Sequence, residues 1–215
     1  MADNTHLYGF RPVRTVHGGR IPNPVPLFYA TGQDDVDDGA NSIDINVGDP
    51  LKLMNSGGVK VALSDTDVSY VCAGFGPIYN AASGVMEPAT KLKNQTAWGT
   101  VESRRPIIYG WPARGIIYEI DCDDAVTATT YAAYVALVNA NCTWDVPGNT
   151  AQTSADPVLD ISLVNTTAAL GCRIVGVSDT AWNQDFSGNY VKLLVQFNEI
   201  NDAGAPANDE LIVGI

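Results

Sequence analysis

The sequence is poor in the groups that most chemistry needs. It has two histidines, four cysteines and only 17% charged side chains in 215 residues. Both histidines, His6 and His17, stand near the start, so the rest of the chain has no imidazole to serve as base or metal ligand. Ser-His-Asp and Cys-His nucleophile schemes are disfavoured on that ground. The cysteines Cys72, Cys122, Cys142 and Cys172 are 50, 20 and 30 residues apart. None makes a Cys-x-x-Cys pair, which removes the common zinc and redox motifs and leaves an expectation of buried, reduced thiols. Neither a G-x-G-x-x-G nor a Walker pattern occurs. No apolar run has the length of a membrane-spanning helix. The Met1-Ala2-Asp3-Asn4 start lacks the charged and then apolar stretches of a signal peptide. These absences predict no catalytic site, no cofactor, no metal, no membrane partner and synthesis in a cytosol.

The scarcity of charge has a second meaning. An average globular protein carries roughly 25% charged residues, and a chain with fewer commits less of its surface to water. That is expected of a protein partly covered by others. The net charge is −12 and unevenly placed: Arg11, Arg14 and Arg20 against Asp3 make residues 1–20 locally +2, which leaves −14 on the remainder. A body of that sign repels phosphate backbones, which excludes direct nucleic-acid binding.

What the chain does have is 46% hydrophobic residues, a mean hydropathy near zero, 20 glycines and 12 prolines, with Asn, Asp, Ser and Thr throughout. This is a globular, turn-rich composition, and it predicts a mainly β fold: a barrel, a tulip-like domain or a sandwich, with at most one or two short helices. Residues 1–26 read as an extended N-terminal arm. Pro12, Pro22, Pro24 and Pro26 remove amide donors and forbid a helix or a central strand. Tyr8, Phe10, Val13, Val16 and Ile21 are more anchors than a free tail needs. The segment is therefore expected to lie on another protein.

Residues 27–200 form the β-rich body, with a subdomain boundary expected near 121–124, and 201–215 a tail ending in Leu211-Ile212-Val213. The acidic stretch 32–46 imitates a calcium loop. However, Val36 and Ile45 fall at ligand positions, so it reads as an exposed loop. Leu51 and Leu53 alternate around Asn55-Ser56-Gly57-Gly58 with Val59, Val61 and Leu63, which predicts a hairpin. Val68, Tyr70 and Cys72 start a further strand, and 79–94 read as an exposed excursion. Two short strands are expected around Gly110-Trp111-Pro112. Residues 123–139 are the one plausible helix, with Asp123 and Asp124 supplying an N-cap and a favourable charge at its start, although its β-branched residues leave strand open for part of the run. A loop is expected over 141–157, followed by closing strands at 159–165, 170–179 and 189–200. Among 24 carboxylates many pairs arise by chance, and no pattern selects one for glycoside chemistry. Trp98, Trp111, Trp144 and Trp182 could stack sugars, although core or interface is the commoner fate of such residues.

Six short motifs, in order, carry a family resemblance: Tyr8 to Arg14 (YGFRPVR), Val47 to Leu53 (VGDPLKL), Asp67 to Phe75 (DVSYVCAGF), Ile116 to Asp123 (IIYEIDCD), Cys172 to Asp179 (CRIVGVSD) and Tyr190 to Glu199 (YVKLLVQFNE). With them the chain resembles the capsid decoration, or cement, proteins of tailed bacteriophages over roughly residues 8–200. The resemblance implies a non-enzymatic virion protein, made in the host bacterial cytoplasm and bound to the outside of an icosahedral head. Its partners would be the major capsid protein of the same phage and itself, as a homotrimer or a dimer. Tyr8, Phe10, Arg11, Val13, Arg14, Val16, Arg20 and Ile21 would then be the capsid-binding arm. A tail-tube or head-completion protein is the second reading, and a carbohydrate-binding β-domain the third.

Overall fold

A computed structural model describes residues 9–29, 45–54, 57–62, 67–80, 85–88, 91–92, 106–123, 130–145, 157–166, 170–180, 183, 186 and 190–198. Their strands are, in chain order, β1 (Arg11–Thr15), β2 (Val25–Phe28), β3 (Ile45–Asn46), β4 (Pro50–Leu53), β5 (Val59–Val61), β6 (Tyr70–Phe75), β7 (Ile78–Asn80), β8 (Val85–Glu87), β9 (Lys91–Leu92), β10 (Ile107–Pro112), β11 (Ile116–Asp121), β12 (Asn141–Asp145), β13 (Val158–Asn165), β14 (Cys172–Val177) and β15 (Lys192–Phe197). A single short helix, α1 (Tyr131–Val135), accompanies them. The chain is mainly β with antiparallel sheets, as its composition indicates.

One sheet has the order β2-β10-β6-β4-β5 and the other β1-β11-β15-β14-β12-β13. Each curls back on itself until strands near its two ends meet. Tyr29, just past β2, bridges in parallel to Val59 in β5, and Cys122, just past β11, bridges to Leu159 in β13. The Asp123 amide donates to the Leu159 carbonyl at 3.0 Å along that second seam. The two curled sheets share one hydrophobic core. Two side chains tie them together: the Trp144 indole donates to the Ala62 carbonyl at 3.3 Å, and the Tyr118 hydroxyl to the Pro112 carbonyl at 2.8 Å.

The predicted hairpin is present, with Leu51 opposite Val61 and Leu53 opposite Val59. Strands β13, β14 and β15 fall where the closing runs were read. Three expectations are corrected. The turn between β10 and β11 lies at residues 113–115, not at Gly110-Trp111-Pro112. Gly115 supplies the left-handed φ of 75° that the turn requires. Gly110 lies within β10, and the lack of a side chain there admits Leu27, whose Cδ1 would stand 2.6 Å from a Cβ. The chain passes from the five-stranded to the six-stranded sheet at this turn.

The second correction concerns the helix, which is five residues long. Its cap is Thr130, whose hydroxyl accepts the Ala133 amide at 3.4 Å, while 124–129 lie outside the described residues. Six β-branched residues in 123–139 lower the helical preference of the longer run. The third correction is β12, which occupies part of the expected loop 141–157. Cys142 and Trp144 alternate into the core and are fully buried. Burying side chains of this kind is worth about 1.5–3 kcal/mol each, which outweighs the turn-forming character of their neighbours. The acidic stretch lies outside the described residues except for its last two, which form β3. Of the excursion 79–94, β7 and β8 pair as a small hairpin with Val85 and Met86 exposed.

None of the four cysteines is in a disulfide and all four are buried, in line with the expected buried thiols. Burial pushes the thiols of Cys72, Cys122 and Cys142 up from 9.0 to about 12. Their folded pKa values lie above the unfolded ones, so between pH 9 and 12 the unfolded chain gives up protons that the folded chain retains. Stability therefore falls as pH rises through that window, by about 1.4 kcal/mol per thiol per pH unit. Urea midpoints measured at a series of pH values should be flat up to about pH 9 and decline steeply above it. A flat profile through pH 11 would contradict this.

Candidate functional site

The N-terminal segment begins its described course with Gly9, whose φ is 61°. A Cβ there would sit 2.8 Å from the Gly48 carbonyl oxygen, so only glycine allows so close an approach. That approach lets the Phe10 amide donate to Gly48 O at 2.9 Å. The Phe10 ring is thereby planted between the sheets, with centroids 4.6 Å from Phe197, 5.9 Å from Trp144 and 6.2 Å from Tyr118.

From this anchor the chain runs along β11 as β1, with Arg11 opposite Glu119 and Thr15 opposite Ile116. A bulge between Pro12 and Arg14 turns Val13 outward. Because β1 ends its sheet, Pro12 forfeits no ladder bond on its open side, which is the place in a sheet that tolerates proline. Gly18, at φ 77°, closes a turn in which its amide donates to Thr15 O at 3.0 Å and the Thr15 hydroxyl to Gly19 O at 3.1 Å. The chain then crosses to the other sheet, packs Ile21 on the core and pairs as β2 with β10.

The arm expected over residues 1–26 is thus, in its described part, a lace joining both sheets of its own body. The reason is Phe10: an aromatic side chain seated at the centre of the core cannot belong to a limb that leaves the body. Tyr8 lies outside the described residues. Phe10 is buried and Ile21 half-buried, and both serve the protein's own interior. Arg11, Val13, Arg14, Val16 and Arg20 face solvent. The outward set also includes two residues missed by sequence reasoning, Val25 and Phe28, the latter 51% exposed. Phe28 pairs with Ile107 and its neighbour Pro26 with exposed Tyr109, so an apolar strip runs down β2 and β10. Strand alternation through Val25, Leu27 and the Pro26–Phe28 face was the signal that could have found it.

The charge on the outward face of β1 and the turn after it comes from three arginines. Arg11 Nη1 stands 4.0 Å from Glu119 Oε1, a contact at the limit of an ion pair and with the arginine mostly in water, so its energetic worth is small. Arg14 and Arg20 make no ion pair among the described residues. Behind β1, Glu119 and Asp121 share the outward face of β11 and are both buried. Glu119 accepts the Ser178 hydroxyl, and Asp121 meets Lys192 Nζ at 2.5 Å. Asn183 completes the cover, donating to Ser178 O and Lys192 O and accepting the Lys192 amide at 2.8 Å. Glu119 therefore helps hold the segment after β14 over β11, while Asp121 pairs across the β11–β15 ladder.

A cleft of about 320 Å³ opens at the end of the five-stranded sheet, floored by Val25, Leu53, Val68, Tyr70 and Pro112, with Asp67 and Arg114 among its lining. Among the described residues, no three His, Cys, Asp or Glu side chains are placed to hold a metal ion. Trp144 is fully buried and Trp111 half-buried, while Trp98 and Trp182 lie outside the described residues. A stacking platform made of all four tryptophans does not form. No family model, curated protein or solved structure matches the chain.

Proposed function

We propose that this protein is a structural component of a phage particle, bound to the outside of an icosahedral head. There it bridges neighbouring shell subunits and associates with copies of itself, most simply as a trimer. The observation that carries this reading is the outward strip of Arg11, Val13, Arg14, Val16 and Arg20 on an edge strand and its turn, in a chain that is otherwise strongly acidic. An open edge offers unpaired backbone groups to a partner's extended segment, and side chains flanking it give selectivity. Positive charge there draws an acidic partner.

Laced to its own core, the strip needs little ordering on binding. A free arm would lose roughly 1–2 kcal/mol of backbone entropy for each residue it orders. Several such strips in one oligomer would tie several shell subunits together through avidity.

The test is co-sedimentation of the purified chain with expanded heads that lack it. The wild-type chain should pellet with the particles. An Arg14→Glu/Arg20→Glu variant should keep its urea midpoint and bind at least about tenfold more weakly, a change of about 1.4 kcal/mol. Equal occupancy by the variant would remove the strip from the interface. Absence of wild-type binding would reject the head-binding role.

A further inference from the structure

Three of the four cysteines belong to the six-stranded sheet and its seam. Cys142 in β12 and Cys172 in β14 are directly opposed partners across neighbouring antiparallel strands. Opposed residues leave such a sheet on the same face, and both side chains are fully buried on the core side. The Cys142 thiol donates to the Cys172 carbonyl at 3.8 Å, which sets its sulfur against the opposite residue.

Opposed positions on antiparallel strands have Cα atoms about 4.5–5.5 Å apart, inside the range of roughly 4.4–6.8 Å found for disulfides. Their Cβ atoms, about 4.5–5.5 Å apart, need to close by about 1 Å to reach the usual disulfide separation. Neither of the other two thiols faces a cysteine across a strand pair, although Cys122 lies near enough to Cys142 to help push its thiol up. Cys122 donates to Val191 O at 3.0 Å, and Cys72 belongs to the other sheet, donating to Gly74 O at 3.9 Å.

The position of the pair in the sheet gives it a purpose. The β12–β14 ladder pairs Asn141 with Arg173 and Cys142 with Cys172, and two backbone bonds just before it, Asn139 N to Ile174 O at 2.8 Å and Ile174 N to Ala140 O at 2.9 Å, extend it on one side. Its neighbours, β12–β13 and β14–β15, are longer. The two cysteines thus stand at the end of the shortest ladder in the sheet.

We infer that Cys142 and Cys172 form a disulfide site, joined across the shortest ladder of the six-stranded sheet when the protein meets an oxidising medium. The oxidant is a low-molecular-weight disulfide such as oxidised glutathione. One cysteine thiolate attacks it, forming a mixed disulfide and releasing one small thiol. The second cysteine then displaces the other small thiol, so two protein thiols become one disulfide while the small disulfide is reduced to two thiols. The bond closes a loop that contains β13 and constrains the unfolded chain, so the oxidised protein is the more stable form. A chain made in a reducing compartment and carried out of it would gain this staple on leaving. The inference stands whether or not the head-binding role does.

In the folded chain both thiols are sealed from solvent, so oxidative refolding gives the direct test. The full chain is unfolded in reductant, refolded in reduced and oxidised glutathione, alkylated and digested. The expected product is one cross-linked peptide joining Cys142 to Cys172, with Cys72 and Cys122 alkylated and a thermal midpoint above that of the reduced protein. A parallel incubation of the folded chain with the same glutathione mixture should reach the same link more slowly. In a Cys142→Ser/Cys172→Ser variant the oxidised and reduced midpoints should coincide. A link between any other two cysteines, or four alkylated thiols in both arms, would overturn the assignment.

Discussion

Replacing Phe10 by alanine should cost about 3–5 kcal/mol of folding stability. The side chain is 1% exposed and touches the rings of Phe197, Trp144 and Tyr118, which come from β15, β12 and β11. Its loss leaves a cavity that three large rings cannot all move to fill, so the penalty includes the void as well as the transfer of the ring. Against a typical total of about 5–15 kcal/mol this is a large share. Deletion of residues 1–20 should do more, because it also removes β1 from the edge of β11. That result would be the opposite of what a detachable arm gives, namely a folded and soluble body after truncation. Urea unfolding of the wild type, Phe10→Ala and Arg14→Ala decides it. The arginine variant should stay within about 0.5 kcal/mol of wild type, and a Phe10→Ala protein equally close would return the segment to the role of a limb.

The second large effect is expected at Gly171. A Cβ on this residue would stand 2.0 Å from Cζ3 and 2.6 Å from Cη2 of Trp144. The indole cannot retreat freely, because its Nε1 is bonded to Ala62 O in the other sheet and Phe10 and Phe197 pack against its ring. Gly171→Ala should therefore cost about 3 kcal/mol, near the top of the range for overpacking a core. The control is Gly171→Ala in a Trp144→Phe background, where the smaller ring leaves room. The penalty there should shrink, giving a coupling energy of about 1–2 kcal/mol between the two positions. Additive costs would show that the strain lies in the backbone and not against the indole. Tryptophan fluorescence offers a second readout, since a displaced Trp144 should emit at longer wavelength.

Both predictions concern residues whose roles depend on distant parts of the chain. The reading of Phe10 is instructive: the sequence marks it as an anchor, correctly, but the prolines around it argue for a segment apart from the body. Proline excludes central strands and helices, and both Pro12 and Pro26 do lie in strands that begin or end a sheet. The step from "not central" to "not part of the body" is where local reasoning failed. An edge position satisfies proline as well as a free arm does. Val13, Val16 and the arginines were read from the same segment and do face outward, because the bulge at Val13 and the turn at Gly18 keep them off the core. The candidate surface was therefore legible in its charged and valine members. Phe28 and Tyr109 were not, since their exposure follows from the pairing of β2 with β10.

Local composition and alternation were enough to set the class. Abundant turn formers and period-two runs require strands, and the β4–β5 hairpin and the runs that became β13, β14 and β15 could be read from neighbouring residues alone. The scarcity of histidine and the Cys spacing were likewise properties of the chain before it folds. Tertiary structure alone decided that Phe10 turns inward, that Trp144 makes a strand of an expected loop, that the chain changes sheet at 113–115, and that Cys142 faces Cys172. Each of these rests on a contact between segments far apart in sequence. The free energy of such contacts comes from burying apolar surface jointly, and no short window of sequence contains both partners.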